Sequence, residues 1–184
     1  MKKIGKRITI EEHKDAITIV IDQTIPKGQQ LALEMWIGAW VGLGGLISYG
    51  AYTYDGNDRT VFLVCLVFWG FFLVRILKVA FWRRIGKEII RITPTHLMIK
   101  NAFKTRGKDK FFDLPDVGKF DAPEQNIKSF MQQLDNSFWI IGGDTVQFNY
   151  NGRENVLGKQ LPAPDAKQLS NFLNKSVERF SKKA

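Results

Sequence analysis

Two long apolar runs, at residues 35–54 and 60–74, constrain this 184-residue chain more than any other feature. The first run has twenty consecutive residues without a charge, and the second has fifteen. An α-helix needs about 20 mainly apolar residues to cross a bilayer core about 30 Å thick. The first run meets this length by itself. The second meets it if Arg75 and Lys78 extend their charged ends towards the headgroups.

We therefore predict transmembrane helices at residues 31–54 and 60–82, joined by the short polar loop 55–59. A connection this short makes the two helices antiparallel neighbours, so together they form a membrane hairpin. The alternative is a buried helical hairpin in a soluble protein. Aromatic residues near the helix ends favour the membrane, because such residues form belts at bilayer interfaces; they are Trp36, Tyr52, Tyr54, Phe81 and Trp82.

The distribution of Lys and Arg predicts that both termini are cytoplasmic. The loop 55–59 carries two acids and one Arg, whereas the residues after the second helix are rich in Lys and Arg. Short loops retained in the cytoplasm show this enrichment. The first thirty residues have no continuous apolar core, so no cleavable signal peptide is predicted. We expect a protein of the inner (cytoplasmic) membrane with two spanning helices.

The net charge of +9 is concentrated just after the second predicted helix. Residues 75–110 hold eleven Lys and Arg against two acids. A high pI can indicate nucleic-acid binding, but this block begins at the membrane face, so anionic lipid is the nearer partner and nucleic acid is not expected. Each basic residue near such a surface contributes about 1 kcal/mol. An alternative explanation of the same charges stays open. Some of them set only the orientation of the helices in the membrane, and the others lie on a strand face that contacts water. The residues assigned to lipid headgroups are Arg83, Arg84, Lys87, Lys104, Arg106, Lys108 and Lys110.

Outside the hairpin, the pattern predicts antiparallel strands followed by one helix. Residues 6–12 and 16–22 are rich in Ile, Val and Thr and predict a β-hairpin. Such a hairpin is marginal by itself in water, so residues 1–29 should belong with residues 84–184, and the membrane segment 30–83 should interrupt one domain. Further strands are predicted at residues 87–92, 96–101, 108–114, 117–120, 137–141, 144–150 and 154–157.

Two local signals complete the predicted domain. Asn151 and Gly152 are typical of a tight two-residue turn. Residues 162–180 predict an amphipathic helix, and residues 122–133 predict a loop with a helical turn. The apolar stripe of the helix should face a core; it consists of Ala166, Leu169, Leu173, Val177 and Phe180.

The sequence contains no pattern typical of a catalytic or metal site. His13 and His96 have no Cys or second His at ligand spacing, and Cys65 has no partner for an intrachain disulfide. Motifs typical of phosphate loops, zinc peptidases and serine hydrolases do not occur. We expect no metal, no cofactor and no catalytic residue, and we do not predict an enzyme.

Small residues form one face of the first predicted helix: Gly38, Gly42, Gly45 and Ser48. Small residues let helix backbones approach closely in a membrane, where burial from water no longer drives association. The partner of this face is either the second helix or another membrane protein. The sequence leaves both alternatives open.

Five segments together resemble bacterial membrane proteins that carry a PH-like domain with an inserted two-helix anchor. They are EEHKDAITIVID (11–22), the tryptophan-rich hairpin, GKEIIRITPTHLMIK (86–100), VQFNYNGRENVLGKQL (146–161) and PDAKQLSNFL (164–173). The resemblance implies a membrane helical hairpin plus an α+β cytoplasmic domain, a PH-like antiparallel β-barrel or sandwich capped by a C-terminal helix. It also implies a non-enzymatic binding or scaffold module, an accessory subunit of a larger membrane complex. Alternatives are an anionic-lipid sensor that uses residues 83–110 and a component of a small transporter or enzyme.

Overall fold

The computed structural model describes residues 1–104, 106–123, 137 and 139–181. The chain divides into two compact units. One consists of Met1–Thr24, Arg84–Ser137 and Ile141–Ala184, and the other consists of Ile25–Arg83 with residues 138–140. The second unit is therefore inserted into the sequence of the first and is not attached to one of its ends.

Six strands of the first unit form one antiparallel sheet, in the order in which they occur along the chain. They are β1 (Lys2–Ile4), β2 (Ile8–Glu12), β3 (Ile17–Asp22), β4 (Gly86–Ile92), β5 (His96–Phe103) and β6 (Arg106–Asp113). Strands β3 and β4 pair along their whole length, from Ile17 opposite Ile92 to Asp22 opposite Lys87. The sheet is thus continuous across the point where the chain leaves for the inserted unit.

The alternation of side chains along each strand explains which face of this sheet is buried. In β3, Ile17, Ile19 and Ile21 are buried, whereas the residues between them are only half-buried. The opposite strand β4 follows the same period, with Ile90 and Ile92 fully buried. The inward-facing isoleucines form one wall of the hydrophobic core.

A separate two-stranded sheet and a helix contribute much of the rest of the core. The sheet pairs β7 (Asp144–Tyr150) with β8 (Arg153–Lys159) through Asn151 and Gly152. Both turn residues have positive φ, 50° and 75°, as a tight hairpin of this type requires. This predicted hairpin is confirmed.

The C-terminal helix, α3 (Ala163–Ser181), packs against β1, β7 and a short 3-10 turn (Leu114–Asp116). Leu169 and Leu173 lie one turn apart and are fully buried in the core. The predicted apolar stripe is therefore confirmed as the buried face of this helix.

The inserted unit is built on two long helices, α1 (Lys27–Thr53) and α2 (Gly56–Ile85). Both are long and apolar enough to cross a membrane. Each begins four residues before its predicted start, because hydropathy marks the apolar part of a helix and not its polar first turn. The amide of Gln30 donates to Pro26 O at 3.0 Å, which continues α1 into the polar segment before the apolar run.

Some predictions about the first unit differ from the structure. The helical hairpin, the antiparallel strands and the C-terminal helix are confirmed, but the described strands form an open sheet of six and a separate pair, with no closed barrel among them. Residues 117–120 form no strand; Val117 and Asp121 make isolated bridges to β7. Residues 137 and 139–141 are not part of a strand, and residue 138 lies outside the described residues. Most of the predicted loop 122–133 also lies outside them.

Candidate functional site

Two glycines of α1 lie close to aromatic side chains of α2. A Cβ atom at Gly44 would overlap the indole of Trp69, and one at Gly50 would lie 2.6 Å from the ring of Phe62. Beside Gly44, Trp69 Nε1 donates to Trp40 O at 2.8 Å, and Trp40 Nε1 donates to Trp69 O at 3.3 Å. Both indole N–H groups thus have acceptors inside the hairpin, as a water-free bilayer core requires.

The predicted small-residue face of α1 does not make this contact. A Cβ atom at Gly38, Gly42 or Gly45 would meet nothing within 4 Å. The Ser48 hydroxyl donates to Gly44 O of its own helix at 2.7 Å. The structure therefore uses Gly44 and not this face for packing against α2, and contact of the face with a second membrane protein stays a prediction.

A short segment around residue 139 packs in the inserted unit, which the sequence analysis did not predict. The ring of Trp139 lies edge-on to that of Trp36, with 5.7 Å between centroids. Together with Leu33 and Ile76, these rings line an apolar cavity of about 280 Å³. The apolar run 138–141 suggested a strand, but an apolar run within a polar region also fits attachment to an apolar surface.

Arg83 is 2 % exposed and belongs to the same unit. Its Nη2 donates to Ile140 O at 2.8 Å. A buried guanidinium bound to a backbone carbonyl is not presented to lipid. The headgroup role predicted for Arg83 does not fit this position.

The other six predicted headgroup residues are exposed: Arg84, Lys87, Lys104, Arg106, Lys108 and Lys110. Their surroundings differ. Lys87 Nζ lies 3.3 Å from the Asp22 carboxylate across the paired strands β4 and β3. Lys108 and Lys110 are two residues apart on β6, so their side chains share one face of the sheet. The structure brings these two lysines together in a cavity.

This cavity, of about 140 Å³, lies between β5–β6 and the β7–β8 hairpin. Lys108 and Lys110 line one wall together with Asn101 and Ile99, their cross-strand neighbours on β5. Phe112 continues this wall towards the core and is buried. The wall therefore carries two ammonium groups beside an apolar floor.

The opposite wall of the cavity comes from the β7–β8 hairpin. It is formed by Asp144, Asn155, Val156 and Lys159. Lys159 Nζ lies 3.2 Å from Asp144 Oδ2, and both side chains are mostly buried. Sequence reasoning found two of the three lysines of this cavity. It could not find Lys159, which lies about fifty positions away along the chain.

A buried polar network holds the first unit together near this cavity. Arg7 donates to Asp22 O and Gln160 O, each at 2.7 Å, and to Lys159 O at 3.2 Å. It thereby connects the β1–β2 turn to the end of β3 and to the segment after β8. Burial lowers the pKa of Arg7, and the nearby Glu88 opposes this shift.

Glu88 joins the two sheets. Its Oε2 accepts hydrogen bonds from the backbone N–H groups of Gly158, at 3.0 Å, and Lys159, at 3.2 Å. Gly158 has φ +79°, a conformation that residues with a side chain rarely adopt. Burial, followed by the charge of Asp144, raises the pKa of Glu88 to about 7.

Among the residues that the structure describes, no group of three His, Cys, Asp or Glu side chains could hold a metal ion. His96 Nδ1 lies 2.9 Å from the Thr95 hydroxyl, at the start of β5. No protein-family description, curated protein or solved structure matches this chain.

Proposed function

We propose that this chain is a non-enzymatic binding or scaffold module, anchored in the inner membrane by α1 and α2, and an accessory subunit of a larger membrane complex. The observation that carries the proposal is the insertion of two apolar helices between the paired strands β3 and β4. Both ends of the hairpin thus continue into adjacent strands of one sheet. An anchor of this kind attaches the binding domain through two chain segments.

The ionisable groups with shifted pKa values also favour a binding module over an enzyme. Glu88 and Arg7 use their polar atoms to hold backbone groups of neighbouring strands. At catalytic sites, ionisable groups with shifted pKa values instead face the substrate. Glu88 and Arg7 thus support the architecture of the domain.

The topology can be tested with single cysteines in a Cys65→Ser background. A cysteine at Asn57, in the first turn of α2, should react with a membrane-impermeant maleimide in intact cells. One at Lys175, exposed on α3, should react only after the cells are opened. Labelling of Lys175→Cys in sealed cells would overturn the proposed orientation.

The accessory-subunit role can be tested through the small-residue face of α1. Protein partners should co-purify with the full chain in mild detergent, and Gly42→Leu should remove a partner that uses this face. Leu46→Ile, at an exposed and already large side chain, is the matched control. Identical partners for the wild type and both variants would exclude this face as the interface.

Anionic-lipid sensing is the second candidate, because residues 83–110 are strongly basic. The soluble unit, residues 1–24 linked to 84–184, should then bind anionic vesicles better than neutral ones, and added salt should weaken the binding. Changing Lys104, Arg106, Lys108 and Lys110 together to Gln should remove much of this binding. Unchanged binding by that variant would leave the scaffold role ahead.

A further inference from the structure

We propose that the cavity between β5–β6 and the β7–β8 hairpin binds a phosphate group. The inference rests on the binding function proposed above and names its ligand chemistry. The site would consist of Lys108, Lys110 and Lys159, with the side-chain amides of Asn101 and Asn155. Its ligand is either a free phosphate-bearing molecule or a lipid headgroup.

The charges of the cavity favour an anion. The lining contains three lysines and one acidic residue, Asp144, whose carboxylate is already paired with Lys159. No hydrogen bond or ion pair joins the side chain of Lys108 or Lys110 to another residue in the described part of the chain. Two like charges close together on one strand repel each other, and an anion bound between them offsets this repulsion.

The other face of the same two strands provides a contrast. Lys100 on β5 lies directly opposite Asp109 on β6, and their charged atoms are 3.0 Å apart. A lysine on that face thus has its counter-charge within the sheet. On the cavity face, the positions opposite Lys108 and Lys110 are Asn101 and Ile99, which provide no negative charge. On this face the two strands therefore leave the cavity lysines available to an added anion.

The size of the cavity selects a small anion. Its volume of about 140 Å³ exceeds the volume that one water molecule occupies in the liquid, about 30 Å³. It is well below the range of about 300–1,000 Å³ that is usual for drug-sized ligands. A single phosphate group fits between these limits. The apolar floor, Ile99 and Phe112, keeps water from one side and strengthens the attraction between ammonium groups and phosphate.

The donors of the cavity also suit phosphate. Lysine ammonium groups bind phosphate as point charges with three rotatable donors, and amide N–H groups add directional hydrogen bonds. The three lysines and two asparagines come from both walls, so a bound phosphate would contact β5, β6 and β8 at once. A diffuse basic surface would instead attract anions without dependence on these particular side chains.

The test uses the full chain in neutral maltoside micelles, with its lysines labelled with ¹³C at Cε so that they keep their charge and all their N–H donors. Inorganic phosphate is titrated against chloride at constant ionic strength, and the Cε signals of Lys108 and Lys110 are followed by NMR. We expect saturable shifts of these signals and little change at Lys100, which is paired on the other face. In parallel, the chain is placed in phosphatidylcholine nanodiscs with or without phosphatidic acid, in phosphate-free buffer.

Two double variants with the same loss of charge provide the control. Lys108→Gln/Lys110→Gln should weaken phosphate binding about tenfold or more, since the loss of even one charge-assisted hydrogen bond is worth about tenfold. Lys167→Gln/Lys175→Gln removes the same charge from exposed positions of α3 that do not line the cavity, and should change the affinity less than about twofold. For the first variant, which lacks both signals, binding is read from the signal of Lys159.

The outcomes separate the sources of the ligand. Saturable shifts with inorganic phosphate alone support a free phosphate-bearing ligand, and shifts with phosphatidic acid support a lipid headgroup. Absence of shifts in both arms, or equal weakening by the two double variants, would overturn the phosphate site. The topology experiment is independent of these results. A failed phosphate site with correct topology would leave the anchored module in place, whereas a failed topology would overturn the anchor whatever the cavity binds.

Discussion

The helices α2 and α3 belong to one chain, yet their apolar side chains have opposite surroundings. In α2, large apolar side chains are exposed, among them Val67 at 73 % and Phe68 at 63 %. In α3, Leu169 and Leu173 are completely buried, and the other faces are mostly polar. Apolar surface left in water costs about 25 cal/mol per Å². The domain around α3 covers the apolar side chains of that helix, whereas those of α2 need to be covered by something else.

This difference shows that the two regions are stabilised by different interactions. The domain around α3 depends on packing between segments that are distant in sequence, including strands from both sides of the insertion. In a bilayer, lipid covers the open faces of α1 and α2, and contacts at a few small residues bring the helices together. The following predictions test this contrast, from the largest expected effect to the smallest.

The largest effect is expected from removing β1–β3. Residues 84–184 alone should not unfold cooperatively in urea, because β4 loses its paired neighbour and the core loses Ile17, Ile19 and Ile21. Joining residues 1–24 to this fragment through a Gly/Ser linker should restore cooperative unfolding, measured by circular dichroism. This result would show that a linker can replace the helical hairpin, whereas the N-terminal strands are needed for cooperative folding. A cooperative transition in the isolated fragment would contradict this view.

Truncation of one leucine compares the two kinds of helix directly. Leu173→Ala should lower the free energy of unfolding of the first unit by about 2–5 kcal/mol, because it leaves a cavity in a fully buried site. Leu46→Ala in α1, where the side chain is 70 % exposed, should leave the urea transition of that unit unchanged. An unchanged transition for Leu173→Ala would show that the stripe of α3 does not contribute to the core.

Loss of the Glu88 proton should make the first unit less stable as the pH rises. Its pKa in the folded chain is about 7, above the usual 4.5, so the folded state binds the proton more tightly than the unfolded state. The stabilisation is complete below about pH 4.5, decreases between about pH 4.5 and 7, and levels off above that, with a total change of about 3 kcal/mol. Urea unfolding over this range measures the slope.

The matched variants for this prediction are Glu88→Gln and Glu154→Gln. Glu88→Gln keeps an oxygen acceptor for the N–H groups of Gly158 and Lys159 but cannot ionise, so most of the slope should disappear. Glu154 is exposed on β8, and its replacement should leave the slope in place. A slope that persists in Glu88→Gln would assign the pH dependence to other groups.

The smallest effect concerns two glycines on different faces of α1. Gly44→Ala should weaken the pairing of α1 with α2 by about 1 kcal/mol or more, because the new methyl group overlaps the indole of Trp69. Gly42→Ala meets open space and should leave the pairing unchanged. Unfolding of the purified chain by SDS titration, followed by tryptophan fluorescence, compares the two variants. Equal effects would contradict the assignment of Gly44 to the helix contact.

Much of the fold follows from local patterns in the sequence. The two uncharged runs predict the long helices, because chain length and hydropathy alone decide whether a helix can cross a bilayer. The stripe through Leu169 and Leu173 predicts the buried face of α3, because a helix repeats every 3.6 residues. Asn151-Gly152 predicts the turn of β7–β8, because only a few residue types adopt positive φ there. Each of these signals lies within one short segment.

The candidate site depends on contacts between segments that are distant in sequence. The sequence shows several glycines in α1 but not which of them faces Trp69, because that depends on how the helices rotate about each other. It shows Lys108 and Lys110 as part of a basic run, whereas their place in a cavity with Lys159 arises only when β6 and β8 come together. The buried link from Glu88 to Gly158 likewise forms only when two sheets pack. Local periodicity determines what each segment becomes, and the packing of distant segments decides which side chains meet.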